Sequence, residues 1–383
     1  MTNVKAICAG IRYYLPFTPN SNKGRLMTNT ANNQYDALAL LSGGLDSILA
    51  MRTIMDQGLK VLGLHFVTPF FGNPEKIPFW KKHYGIDVIE VDIRQKYIDM
   101  MLDGPSQGYG KWLNPCIDCK ITMLSHAVDM LPEYGAKFLI SGEVVGQRPM
   151  SQREDALNLI TKRADVRKVL LRPLCAKKQP ITPMEESGLV DREQLHDWYG
   201  RGRKEQMKKA KEYGFTEIPT PAGGCCLTEA NGAARFVKML NHIERPSVSD
   251  FTLARFGRQY WAGTHWLTFG RKADDNERIA ACIEPTDYVL KTQGFPGPLG
   301  VCRPVDGDWD SEAVADAAAL VASYSTKARK HSEETGEPVK IRVQRGKTTE
   351  EIEVIPTRDN KLPWAEPKPD IVKAWKKDRL DNQ

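Results

Sequence analysis

Ser42-Gly43-Gly44-Leu45-Asp46-Ser47 constrains this chain most, because it lies between the apolar run Ala37 to Leu41 and the helix-patterned Ile48 to Gln57. A strand ending at Leu41 delivers Gly43 and Gly44 into a tight turn, where the missing Cβ lets backbone N–H groups close on an anion. The following helix adds unpaired amides at its positive end. With the hydroxyls of Ser42 and Ser47 the turn becomes a candidate pyrophosphate cradle, each favourable charge–dipole contact being worth roughly 0.3–1 kcal/mol. The plain alternative is an ordinary strand–turn–helix corner. No Gly-Lys-Ser/Thr follows and Gly-x-Gly-x-x-Gly is absent, so this stretch is neither of the common nucleotide motifs.

Apolar runs at 37–41, 61–67, 88–91 and 138–141 alternate with helical stretches, which predicts an α/β domain whose parallel sheet is covered on both faces. Leu45, Ile48, Met51 and Met55 fall near one helix face as core. Asp46 and Ser47 then occupy the first turn, where an acid or hydroxyl also has a purely capping role. Ligands of such sheets lie at the carboxyl ends of the strands, so the cradle, the loop after Val67 and the loop after Ser141 are expected to converge on one cleft.

At 383 residues the chain is long enough for two or three domains. Its 54 basic and 48 acidic residues leave a net charge of +6, mildly favourable for a polyanionic partner. No apolar run approaches the ~20 residues that span a bilayer, and no secretory signal is evident, so a cytoplasmic protein with no membrane partner is expected. The 8 cysteines are then thiols rather than a disulfide framework. Residues 1–34 mix Pro, Asn, Thr and Lys without a period and read as a flexible leader, with Met27 a candidate alternative start.

Asn114-Pro115-Cys116-Ile117-Asp118-Cys119-Lys120 precedes a helical pattern running to Leu131. Pro115 thus puts both thiols at a helix start, which favours thiolate and hence metal binding or nucleophilic attack. Two buried small residues are the bland reading. A second candidate site, Pro219 to Thr228, frames Cys225 and Cys226 with prolines and glycines, unlike ordinary core cysteines. Between them lies the glycine-hinged loop Ser141 to Gln152, which on its plainest reading connects a strand to a helix capped by Ser151. Arg201, Arg203, Lys204, Lys208, Lys209 and Lys211 form a basic run that suits either phosphate contact or a solvated helix face.

Ser-Gly-Gly-x-Asp-Ser after a first strand resembles the PP-loop of N-type ATP pyrophosphatases, implying an adenine nucleotide alpha hydrolase-like fold that cleaves ATP to AMP and pyrophosphate. Asn-Pro-Cys-x-x-Cys-Lys, the Gly142-Glu143-Val144-Val145-Gly146-Gln147 loop, Leu171-Arg172-Pro173-Leu174 and the late Cys-Cys, in that order, resemble tRNA uridine 4-sulfurtransferases of the ThiI type over about residues 36–240. The Asn-Pro-Cys element is also similar to MnmA-type 2-thiouridylases. Neither an amino-terminal ferredoxin-like and THUMP module nor a rhodanese domain is recognisable, so tRNA grip and sulfur delivery are expected from elsewhere.

The resemblance implies ATP-dependent thiolation of tRNA, with 4-thiouridine as the expected product and 2-thiouridine as the alternative. ATP and Mg²⁺ would be held at Ser42, Gly43, Gly44, Asp46, Ser47, Gly142 and Gln147, with Asp46 a Mg²⁺ ligand directly or through water. Three sulfur sites are weighed. First is a 4Fe-4S cluster on Cys116, Cys119 and Cys225, since three thiolates from two distant loops suit a soft metal. Second is a persulfide on Cys225 or Cys226 resolved by another thiol. Third is zinc on Cys116, Cys119, Cys225 and Cys226. The sulfur donor would be sulfide or a cysteine desulfurase-type protein. A PP-loop ligase or amidotransferase acting on a small molecule leaves the cysteines unexplained, and a non-catalytic RNA-binding protein leaves the cradle unexplained.

After Arg245 the texture changes to short strands and turns, so residues 35–245 are expected to form the nucleotide domain and 246–360 a smaller α+β domain. Ala254 to Tyr260, Trp266 to Arg271 and Asp274 to Arg278, followed by Gly297 to Val301 and Ala322 to Ser325, resemble the NFACT-R class of RNA-binding domain. Arg interleaved with aromatics suits base stacking and phosphate contact, or the core of a small β-rich domain. Residues 361–383, with Lys373, Lys376 and Lys377, read as a basic tail without a core.

Overall fold

The computed structural model describes residues 34–219 and 225–381, so most of the expected leader and the loop at 220–224 lie outside the described residues. The first half runs β1 (Ala37–Leu40), α1 (Leu45–Met55), β2 (Val61–Val67), α2 (Ile77–Tyr84), β3 (Asp87–Asp92), α3 (Arg94–Asp103), α4 (Cys116–Met130), β4 (Phe138–Ser141), α5 (Glu154–Arg163), β5 (Leu170–Leu171), α6 (Pro183–Glu186), α7 (Lys204–Glu212), α8 (Ala230–Leu240) and α9 (Val248–Arg255). Its five strands form one parallel sheet in the order β3-β2-β1-β4-β5. β1 is central because every residue in it is buried on one face or the other. Leu38 and Leu40 face Leu64, Tyr97, Leu124 and Phe236, whereas Ala37, Ala39 and Leu41 face Ile48, Trp80, Tyr84 and Phe138. That period of two needs apolar cover on both sides, which the flanking helices supply. Chain order reverses between β1 and β4, which makes the carboxyl end of this pair the switch point where such sheets bind ligands.

The second half runs β6 (Arg258–Ala262), β7 (His265–Phe269), α10 (Ala273–Ala280), β8 (Tyr288–Thr292), β9 (Leu299–Arg303), α11 (Ser311–Ser323), α12 (Thr326–Thr335), β10 (Val339–Arg345) and β11 (Thr348–Val354). These strands pair antiparallel in the order β11-β10-β8-β9-β7-β6. The alanine-rich α11 packs Ala317, Ala318 and Val321 against Leu267, Phe269 and Leu290, since small side chains let a helix approach a sheet closely. Gly270 is required where β7 turns into α10: a Cβ there would stand 2.0 Å from Asn276 Oδ1, the acceptor for Leu299 N–H. Among the described residues no helix is long and apolar enough to cross a membrane.

Three expectations change. The texture shifts near Arg245, but the apolar core does not stop there, because Phe251 of α9 meets Phe70 at 5.3 Å and Phe236 at 6.0 Å between ring centroids. Ser151 does not cap α5; the loop folds back through Gly146 N–H to Gln152 C=O (2.7 Å), buries Ser151, and leaves Arg153 at the helix start. Residues 361–383 are not a coreless tail. They return as α13 (Asp370–Asp381), which packs Val372 and Trp375 into the first core beside α8. Tyr109 lies 5.8 Å from the Trp375 ring, and Lys376 Nζ donates to Gly110 C=O at 2.6 Å. Trp375→Ala is expected to cost about 3–5 kcal/mol in denaturant unfolding. A cost below roughly 1 kcal/mol, the scale of a surface change, would show that α13 is not part of the core.

Candidate active site

The cradle is built at the end of β1. Gly43 has φ +76°, a left-handed conformation, and a Cβ on it would stand 2.2 Å from the Trp80 ring. Glycine is therefore required twice over, for conformation and for space. Gly44 N–H donates to Ser42 Oγ (3.3 Å), and Ser47 Oγ–H donates back to Gly44 C=O (2.8 Å). No side chain caps α1, so the amides of its first turn remain available to an anion.

Two residues that the sequence reading passed over prop this turn. His65, inside the apolar β2, accepts from Asn73 N–H through Nε2 (2.8 Å), so its Nδ1–H donates to Leu41 C=O (3.0 Å). Burial lowers its pKa, consistent with the neutral ring this tautomer requires. Trp80, which backs Gly43, meets the His65 ring edge-on at 4.7 Å. The available signal was a lone polar residue in a fully buried strand.

The loop after β4 closes on the same helix start. A Cβ on Gly142 would stand 2.7 Å from the Asp46 carbonyl, so this loop touches α1 backbone to backbone. Gln147 Nε2 donates to Asp46 Oδ2 at 3.0 Å. Asp46 Oδ1 and Gln147 Oε1 are buried without hydrogen-bond partners. Burial raises the Asp46 carboxyl above its usual value, and the Gln147 amide, Arg203 and Arg148 oppose it. An acid held this way gains from a cation, which would satisfy the unpartnered oxygen.

Behind the loop, Glu143 is buried and paired with Arg172 (Nε to Oε2, 3.0 Å) and Lys120 (Nζ to Oε1, 3.8 Å). Arg172 also donates to Thr161 Oγ1 at 3.1 Å. The Gly-Glu, Leu-Arg-Pro-Leu and Cys-Lys elements thus meet through one buried ion cluster, a role their separation in sequence conceals.

Cys116 opens α4, and Asn114 Nδ2 donates to its sulfur at 3.3 Å. The late pair is stitched in from two sides: Leu113 N–H to Leu227 C=O (3.2 Å) and Cys226 N–H to Phe70 C=O (3.3 Å). Phe70 belongs to the loop beyond β2, so the cysteine segments sit at the same end of the sheet as the cradle. Cys225 is in electrostatic reach of Cys226, Cys119 and Cys116, whereas Cys226 turns its thiol to Phe70 C=O (3.3 Å) and lies near Arg255. Tyr97 is fully buried beside Cys119, Cys225 and Cys116, and its hydroxyl has no well-formed hydrogen bond.

Burial pushes the Cys119 and Cys226 thiols up to about 11, and Cys225 well above the ordinary thiol range. This corrects the expectation of thiolate at the helix start for Cys119. Its N–H is already bonded to Pro115 C=O (2.8 Å), so it has left the zone of unpaired amides, and desolvation wins. Among the described residues no three His, Cys, Asp or Glu side chains stand ready as a metal cage. The donor set nevertheless fits a soft metal, which would bring the deprotonation that burial withholds. Gly223 and Gly224 lie outside the described residues.

A parallel α/β sheet with a glycine cradle at its switch point defines a PP-loop type of nucleotide-binding domain. Residues 32–184 match the family model Thiamine biosynthesis protein (ThiI), and residues 262–364 match NFACT protein RNA binding domain. The chain therefore joins a ThiI-type domain to an NFACT-type RNA-binding domain. It is 30% identical to a probable tRNA sulfurtransferase of Thermococcus kodakarensis over 37% of either chain. It is 33% identical to the tRNA-specific 2-thiouridylase MnmA of Nitratidesulfovibrio vulgaris over 28% of this chain and 34% of that one. The chain thus spans little more than a third of these relatives' length. The solved U34-tRNA thiolase NcsA from Methanococcus maripaludis with its 4Fe-4S cluster covers 58% of this chain and 71% of its own, at 14% identity and a TM-score of 0.27, a likeness too slight to argue from.

Proposed function

We propose that the protein is an ATP-dependent tRNA sulfurtransferase that replaces a uridine carbonyl oxygen with sulfur, forming 4-thiouridine. The observation that carries this reading is the stitching of the cysteine segments to Phe70 and Leu113, at the sheet end that also carries the uncapped cradle. Oxide is too poor a leaving group for direct displacement. The carbonyl oxygen therefore attacks the α-phosphorus of ATP, pyrophosphate departs into the Ser42–Ser47 turn, and AMP takes the oxygen away as sulfur adds to the same carbon. With hydrosulfide as donor the exchange involves no change of oxidation state. Preorganised amides and hydroxyls supply the main catalytic term by stabilising charge that develops on the phosphates.

Mg²⁺ would offset phosphate charge, and Asp46, with its unpartnered Oδ1, is the residue to hold it. A 4Fe-4S cluster on Cys116, Cys119 and Cys225 would supply an iron site open to sulfide. Cys225 suits the third position better than Cys226, whose thiol is engaged by Phe70 C=O. A persulfide on Cys225 or Cys226 is the second route. The MnmA match favours one further reading, 2-thiouridine.

Incubation with unmodified tRNA, ATP and sulfide is expected to release pyrophosphate only when tRNA is present, with 4-thiouridine found by nucleoside mass spectrometry. Formation of 2-thiouridine would move the reaction to the other carbonyl. AMP formation without tRNA would indicate a small-molecule ligase, and no AMP with any tRNA would remove the enzyme reading. Anaerobically purified protein should carry about four irons per chain and lose them in Cys116→Ala and Cys119→Ala.

A further inference from the structure

Tyr324, at the carboxyl end of α11, carries two guanidiniums against its ring: Arg258 at 4.9 Å and Arg358 at 4.2 Å from the centroid. Its hydroxyl lies 2.8 Å from that of Tyr260. Both tyrosines, with Arg358, Asp359, Asn360 and Trp364, line an open groove of about 280 Å³. The buried arginine of this half, Arg303, is fully committed, pairing with Asp250 and Asp287 at 2.8 Å each. Arg258 and Arg358 are not. Among the described residues neither has a carboxylate within ion-pair distance, and Arg258 Nε is buried with no hydrogen-bond partner. Asp359 and Glu366 are the nearby acids, and both are exposed.

A guanidinium stacked on a ring keeps its N–H edge free for a planar or tetrahedral anion. A buried, unpartnered donor costs free energy unless a ligand satisfies it. With Tyr324 already contacted by two guanidiniums and by Phe269 at 4.8 Å, the groove offers charge rather than an open stacking face.

We propose that this groove binds a phosphate of the tRNA backbone at Arg358, with Arg258, stacked on the same Tyr324 ring, adding its charge. The proposal rests on the RNA reading above and adds the place where the second half takes hold. The full chain should show a salt-dependent tRNA affinity whose log–log slope falls by about 1 in the Arg258→Gln/Arg358→Gln double variant and by less than that in Arg358→Gln alone. The weakening should be similar for tRNAs of different sequence. Arg258→Lys, which keeps the charge, should keep the slope. In the sulfur-transfer assay the double variant should raise KM for tRNA and leave kcat at saturating tRNA unchanged.

A folded double variant, judged by circular dichroism, with unaltered affinity and slope overturns the proposal while leaving the RNA reading intact. If Arg258→Gln misfolds, the exposed Arg358→Gln decides alone. Wild-type chain that binds no tRNA overturns both readings. If inorganic phosphate at constant ionic strength is bound by wild type and lost in the variants, while tRNA affinity is the same in all, the site takes a free phosphate and the backbone assignment falls.

Discussion

Asp46→Asn is expected to cut tRNA-dependent AMP formation by about 10²–10³-fold, the scale of losing one preorganised charge-stabilising group, while leaving the chain at least as stable at neutral pH. The carboxylate is buried, receives one hydrogen bond from Gln147, and leaves Oδ1 unpartnered. Its folded pKa is raised, chiefly by burial. The group's contribution to stability is therefore fully present below the unfolded value of about 3.9 and is lost as pH rises through the folded value. At pH 7 the wild-type chain bears the cost of a desolvated charge that Arg203 and Arg148 only partly offset, which the amide removes. Melting temperatures of the two proteins should diverge in favour of the Asp46→Asn variant as pH rises from about 4 to about 7. Full activity in the variant would remove Asp46 from the reaction, and a lower melting temperature at pH 7 would show that the carboxylate is stabilising.

Arg172→Met is expected to destabilise by about 3–5 kcal/mol, because it leaves the buried Glu143 charge with only the more distant Lys120 as partner. Burial alone would raise the Glu143 carboxyl, but Lys120 and then Arg172 outweigh it and hold the pKa below the usual value. The linkage has the opposite sign to that of Asp46: stability is present above the unfolded value of about 4.3 and is lost as pH falls through the folded value. Acid unfolding of the wild type should therefore include this pair. Adding Glu143→Gln to Arg172→Met should recover much of the loss, since removing both charges avoids the stranded one. Urea unfolding that finds Arg172→Met within about 0.5 kcal/mol of wild type, the range of ordinary surface substitutions, would refute the arrangement.

β1, β2 and β4 were legible because each is a short apolar run covered on both faces, and β3 follows its run at 88–91 with one face open, whereas the two-residue β5 gave no signal. The cradle was legible because its glycines and hydroxyls are contiguous. What props it was not, since His65 and Trp80 reach Leu41 and Gly43 only after the chain has folded. Helix position suggested a reactive thiol at Cys119, whereas burial, which sequence does not display, raises its pKa. In the second half the two readings of the aromatics separate: Trp261, Trp266 and Phe269 are core, while Tyr260 and Tyr324 reach a groove. The final helix escaped notice because its buried anchors, Val372 and Trp375, are interspersed with Lys373, Lys376 and Lys377.

The aromatic contact of Phe70 with Phe236 and Phe251 has a consequence for how a long substrate is measured. Phe70 lends its carbonyl to Cys226, and its ring clasps the helix that leads into the second sheet. On the function proposed above, a chain so joined would act as a caliper with one jaw at the cradle and the other at the second sheet. If an RNA is held by the second jaw, the nucleotide offered to the first is selected by the span between them, and a uridine at another distance is refused without any contact to its base.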